Sequence, residues 1–185
     1  LAYVFQDATL LPWRTVEENV RLPLELMRQS ATFSGRSTSS QELRERMDLA
    51  LHSVGLERAA WSKFPRELSG GMRMRTSIAR ALVTDPNVLL LDEPFAALDD
   101  LLRSRLNDLI LDLWQHRSRT ILFVTHNIAE AVYMSHRVAV LGGGRVAAIL
   151  ENRLAWPRHA QQRTSVEFAA QYGAISQGLA EAAQS

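Results

Sequence analysis

Three short stretches carry side chains whose types and spacing could do chemistry. VLLLDEP, residues 88–94, is an apolar run that ends in two adjacent acids and a proline. Successive residues of a strand point to opposite sides, so Asp92 and Glu93 can take different tasks. Two close carboxylates in a poorly solvated crevice repel each other, and a bound cation relieves that repulsion. The layout suits a magnesium nucleotide site, with Asp92 holding the ion, usually through water, and Glu93 polarising the attacking water. An acid pair in a surface turn is the plainer alternative. In LSGGM, residues 68–72, Ser69 is a suitable N-cap, and Gly70 and Gly71 remove the β-carbons that would keep a ligand from the first N–H groups of a helix. Such a helix start attracts phosphate through its donors and the positive end of its dipole. An ordinary capped helix with a glycine turn is the alternative here. ILFVTH, residues 121–126, sends a strand into His126, whose imidazole can hydrogen-bond a phosphate and help position water. A lone histidine is more often polar packing.

The elements that must position these residues follow from periodicity. Residues 88–91, 120–124 and 138–141 are short apolar or β-branched runs separated by helical stretches at 101–115 and 128–135, a pattern that predicts a buried parallel sheet. Ligands of such sheets bind beyond the carboxyl ends of the strands, where Asp92 and Glu93 sit. The run 145–150 follows Gly142, Gly143 and Gly144 too closely for a crossover, so it predicts a hairpin with 138–141. The first half is mostly helical. Thr15 and Glu18 make a capping box before a pattern running to about Gln29, which Pro23 is expected to bend or interrupt. Residues 30–41 read as a solvated connection, 42–54 and 71–83 as helices, and Thr164 with Glu167 as the opening of a last helix. Leu101, Leu102, Leu106, Leu109, Ile110 and Leu113 form a stripe expected in the core.

Composition narrows the class. The chain has 185 residues, 46% of them hydrophobic, enough for a sizeable core. A formal net charge of +1 is too even to predict nucleic-acid or membrane-surface binding. With no cysteine there is no disulfide, thiolate nucleophile or Cys-ligated zinc, and the cytoplasm is the default compartment. No apolar run approaches the roughly 20 residues of a spanning helix, so membrane contact is expected through a partner. His52, His116, His136 and His159 share no metal-ligand spacing.

LSGGMRMRTSIARAL, VLLLDEPFAALD and ILFVTH stand in an order and spacing that resembles the nucleotide-binding subunit of an ABC transporter. VFQDATLLPWRTVEENV matches that family's glutamine loop with Gln6, LSGGM its signature, and Asp92 and Glu93 its Walker B aspartate and catalytic glutamate. Residues 97–99 match its D-loop and His126 its switch histidine. The resemblance implies an α/β, P-loop NTPase (RecA-like) core with a parallel sheet, built from 1–8 and 85–150, an inserted helical subdomain at 9–84, and a C-terminal helical tail at 151–185. It implies ATP and Mg2+ as cofactors, with Glu93, His126 and Gln6 catalytic and Asp92 and Gln6 on the metal. Ser69, Gly70, Gly71 and Met72, with Asp99, would complete the nucleotide site of a second ATP-binding subunit in a homodimer. The other implied partners are transmembrane permease subunits and, indirectly, a periplasmic solute-binding protein, and the implied place is the cytoplasmic face of the inner membrane, peripherally.

LLPWRTVEENVRLPLEL, the methionine at the fifth signature position and the tail RTSVEFAAQYG resemble the branch importing nitrate, taurine and alkanesulfonates. Met72 replaces the commonest signature glutamine, and Met74 stands where that branch usually has glutamine. Residues 9–13, TLLPW, carry apolar side chains beside Gln6; in the resembled family this region touches a permease, and packing under the helical subdomain is the alternative.

An ATPase of this kind needs G-x-x-x-x-G-K-[ST] to hold its phosphates. The only lysine is Lys63, in WSKFP, and 142–144 is followed by a strand, so neither supplies that loop. The family places it upstream of the glutamine loop. The sequence therefore reads as the C-terminal part of a longer protein, expected to be inactive by itself and to carry an unpaired sheet edge. A non-catalytic module that only dimerises or docks on a permease is the second reading. ABC ATPases of DNA repair or translation are a third, disfavoured because the chain has no room for their insertions.

Overall fold

A computed structural model describes residues 1–29, 39–117 and 119–182, so most of the connection read at 30–41 lies outside the described residues. Two compact units emerge, Leu1–Val124 and Thr125–Ser185.

In the first unit, β1 (Ala2–Val4), β2 (Val88–Asp92) and β3 (Thr120–Val124) form a parallel sheet in the order β1-β2-β3. The register pairs Val4 with Leu91 and Asp92 with Val124, which aligns the carboxyl ends of all three strands. Val4, Leu89 and Leu91 are buried on one face. The sequence predicts burial on both faces, but Tyr3, Leu122 and Val124 on the other are exposed, Leu122 by 53%. A parallel sheet is buried only where helices cover it, so the helical cover within this unit lies on the Leu89 side.

Helices α1 (Val16–Gln29), α2 (Ser40–Ser53) and α3 (Gly70–Leu82) pack on one another, and α3 also packs on β1. The predicted box opens α1: the Thr15 N–H donates to Glu18 Oε2 at 2.8 Å and the Glu18 N–H to Thr15 Oγ1 at 3.3 Å. Pro23 does not interrupt α1, because Val20 and Leu24 on either side of it are buried and hold the helix in place. In α4 (Asp100–His116), Leu106 and Ile110 are core as expected, whereas Leu101 is 64% exposed. It lies in the first turn, before the buried stripe begins.

The second unit contains α5 (Ile128–Met134), β4 (Arg137–Gly142), β5 (Arg145–Glu151) and α6 (Val166–Ala182). β4 and β5 form the predicted antiparallel hairpin, with Gly143 and Gly144 at φ +56° and +75° in the turn. They make a sheet of their own, so the 138–141 run does not extend the parallel sheet. Closing a local turn costs less chain entropy than a crossover. Thr164 does not cap the last helix: a 3-10 turn at Ala160–Thr164 engages it, its hydroxyl donating to the Gln161 carbonyl, and the Phe168 N–H donates to Ser165 Oγ instead. Among the described residues no helix is long and apolar enough to cross a membrane.

Candidate functional site

The sheet delivers its acids into a tight, strained turn. Glu93 has φ +44°, a left-handed conformation that is uncommon for any non-glycine residue and further disfavoured before a proline. The turn is held from several sides. The Glu93 N–H donates to the Val124 carbonyl at 2.9 Å, the Ala96 N–H donates to the Glu93 carbonyl at 3.2 Å, and Phe95 is buried with its ring 5.7 Å from that of Phe123. Strain of this kind costs on the order of 1–3 kcal/mol and persists only where the surroundings over-determine it.

Asp92 lies on the open face of the sheet, where the Tyr3 hydroxyl donates to its Oδ2 at 2.6 Å. That bond, with burial and the carboxylate charge, raises the Tyr3 phenol above its ordinary value. Tyr3, which no sequence motif marks, sits on the face that β2 uses for Asp92, because the register pairs it with Leu90. Gln6 is exposed, two residues past β1. The register therefore gathers Gln6, Asp92 and Glu93 at one end of adjacent strands.

LSGGM forms the start of α3 as predicted. Ser69 Oγ accepts the Met72 N–H at 3.2 Å, and the Arg73 guanidinium donates to the Leu68 carbonyl at 2.7 Å. The two glycines differ. A β-carbon on Gly70 would sit 3.5 Å from Leu98 Cδ2, an ordinary contact, while one on Gly71 would come 2.7 Å from Leu102 Cδ2. Gly71 thus also answers to the close approach of α4. Met74 is buried, a place where a glutamine amide would need hydrogen-bonding partners.

Asp99 is the N-cap of α4, its Oδ1 accepting the Leu102 N–H at 2.9 Å. Arg103, which sequence reasoning missed, donates to the carbonyls of Phe95 and Leu98 and to Asp100, and so ties down the segment between the acids and α4. His126 lies in the second unit, two residues past β3. Its neighbours are fixed locally: Asn127 Oδ1 accepts the N–H groups of Ala129 and Glu130, the Asn127 N–H donates to Thr125 Oγ1, and the Thr125 hydroxyl donates to Glu130.

Among the described residues there is no group of three or more metal-ligating side chains. A carboxylate and an amide oxygen at one sheet end still fit Mg2+, which keeps its waters and takes one or two carboxylates together with substrate phosphates. Lys63 is exposed, and its carbonyl accepts the Val16 N–H at 2.9 Å, a structural contact.

A parallel α/β sheet with acids at its carboxyl edge, joined to a helical segment whose signature helix opens on glycines, defines the P-loop NTPase fold as ATP-binding cassettes carry it. The chain belongs to the ABC transporter family, whose model matches residues 1–96. It is 40% identical over 158 residues to an aliphatic sulfonates import ATP-binding protein, SsuB, of Bacillus cereus, covering 84% of this chain and 58% of that protein. Among solved structures it resembles the dimeric bacterial ABC transporter cassette MJ0796, at TM-score 0.68 and 34% identity over 83% of this chain and 63% of that one. A post-hydrolysis state of the same cassette, bound to ADP and Pi, matches at TM-score 0.68 and 33% identity over 82% of this chain and 62% of that one. The chain spans about three-fifths of the length of the relatives it matches, 58% of the Bacillus cereus protein and 61% of others.

Proposed function

We propose that these residues belong to the ATP-binding and ATP-hydrolysing subunit of an importer for a small anionic or organic solute of the nitrate, sulfonate or taurine kind. One observation carries the reading: Gln6, Asp92 and Glu93 gather at one sheet end, with Glu93 held in a strained turn, in a chain that also carries a serine-capped, glycine-opened helix start. In this reading Glu93 orients or activates water, Gln6 contributes to the γ-phosphate site, His126 serves as the switch histidine, and Asp92 with Gln6 holds Mg2+, which supplies charge neutralisation on the phosphates. Ser69, Gly70, Gly71 and Met72, with Asp99, face the nucleotide of a second ATP-binding subunit. The partners are that second copy, a permease met at the cytoplasmic face of the inner membrane through 9–13, and indirectly a periplasmic solute-binding protein; nucleic acid is not among them.

The same residues include no phosphate loop. That favours a second reading for the 185-residue chain alone: a module that contributes its signature or docks without turning over ATP. The test is phosphate release from Mg-ATP by the purified chain, alone and mixed with the MJ0796 cassette whose own signature serine has been replaced by glutamate. No release alone and a rise of at least tenfold on mixing are expected. An unchanged rate on mixing would overturn the importer reading, and turnover by the chain alone would overturn the second.

A further inference from the structure

The loop after β1 and the helix that opens on LSGGM are joined by one side chain that neither motif contains. Arg80 lies near the C-terminal end of α3, ten residues beyond Gly70 and so about 15 Å along the helix axis. Its Nη1 donates to the Thr9 carbonyl at 2.8 Å, and its Nη2 donates to the Ala8 carbonyl and to Thr9 Oγ1, both at 2.9 Å. A longer contact, 3.4 Å, runs to Ser77 Oγ on the same helix. Every one of these partners is a neutral oxygen. Burial lowers the guanidinium from its ordinary value, yet arginine remains a cation and its rigid fork spans two consecutive carbonyls in a way a lysine cannot.

The loop needs such a clamp. Thr9 has φ +44°, an outlier conformation for a β-branched residue. A strained residue of this kind stays in place only while its surroundings hold it, and Arg80 bonds both the carbonyl and the hydroxyl of Thr9. We infer that Arg80 is a positioning residue that locks the Gln6 loop to the signature helix, so that the two move as one piece. Its place in catalysis rests on the function proposed above, but the lock itself is a property of this chain and can be measured without nucleotide.

The chain has no cysteine, so Asp7→Cys provides a unique attachment point for a nitroxide in the loop. The label is expected to be immobilised in the otherwise native chain and to become mobile in Arg80→Gln. Amides in the middle of α3 should keep their hydrogen exchange within about twofold in that variant. Arg80→Lys, which keeps the charge without the fork, should fall between the two, and it serves as the test if Arg80→Gln does not fold. A label equally immobile in Arg80→Gln, or a rise in exchange throughout α3, would overturn the inference, the second outcome marking Arg80 as a contributor to general stability only.

Discussion

Gly71, in the first turn of the signature helix, lies so close to Leu102 of α4 that a β-carbon at position 71 would come within 2.9 Å of both Leu102 methyl carbons. The glycine that opens the helix to a ligand is therefore also a packing requirement between the signature and the helix capped by Asp99. The clash is with the end of the partly exposed Leu102 side chain, so its cost depends on how freely that side chain turns away, up to roughly 1–3 kcal/mol. Gly71→Ala should destabilise the chain by that amount in urea unfolding, and Leu102→Ala in the same chain should return part of the loss, whereas purely additive losses would mean the contact is not tight.

The strain at Glu93 makes a prediction that inverts the usual ranking of residues. Glycine is ordinarily about 0.5–1 kcal/mol less favourable than alanine within regular structure, but at φ +44° only glycine is relaxed. Comparing Glu93→Gly with Glu93→Ala removes the same carboxylate in both, so the difference reports the backbone. The glycine variant should have the higher urea midpoint by the equivalent of about 1 kcal/mol. A higher midpoint for alanine would show that the turn is unstrained.

Residues 11–15, which carry the 70% exposed Trp13, are held from beneath. Buried Asn19 accepts the Leu11 N–H and donates to the carbonyls of Leu11, Arg14 and Thr15, and Arg14 and Arg21 both pair with Glu25 at 2.7 Å. Burial pushes the Glu25 carboxyl up, but the bonds and charges of the two arginines outweigh it and leave it below its ordinary value. A carboxyl depressed in the folded state stabilises above its unfolded value and loses that contribution as pH falls through the folded one. The urea midpoints of the native chain and Glu25→Gln should therefore differ at pH 6–7 and converge as pH drops below about 4. A difference that persists undiminished at pH 3 would place the stabilisation elsewhere.

β3 is an edge of its sheet and exposes Leu122 and Val124. Exposed apolar edge strands pair with other chains, and an edge lysine blocks this. The apparent mass of the chain by light scattering should grow with concentration, and Leu122→Lys should suppress that growth several-fold; a monomeric, cooperative melt of the unaltered chain would count against this.

What was legible in the sequence was local. Val88–Leu91 is a continuous apolar run, Ser69 and Thr15 stand at fixed offsets from the amides they cap, and Gly143 and Gly144 take the turn at positive φ, so β2, α1, α3 and the hairpin follow from neighbours within a few residues. What was hidden depends on residues far apart in sequence. The Tyr3 bond to Asp92 spans 89 positions and that from Arg80 to the Thr9 carbonyl spans 71, and no periodicity encodes either. Leu101 is exposed although it lies on the apolar stripe, since a stripe specifies a helix face but not how far along the helix its cover extends.

A start of α3 that meets a phosphate held by a different copy can be read with a γ-phosphate-linked photoreactive ATP analogue. Mixed with a cassette that carries its own phosphate loop, this chain should be labelled within Ser69–Met72, only when that cassette is present, and not after Ser69→Glu. Labelling confined to other residues, or indifferent to the second cassette, would mean that α3 does not open on another copy's nucleotide.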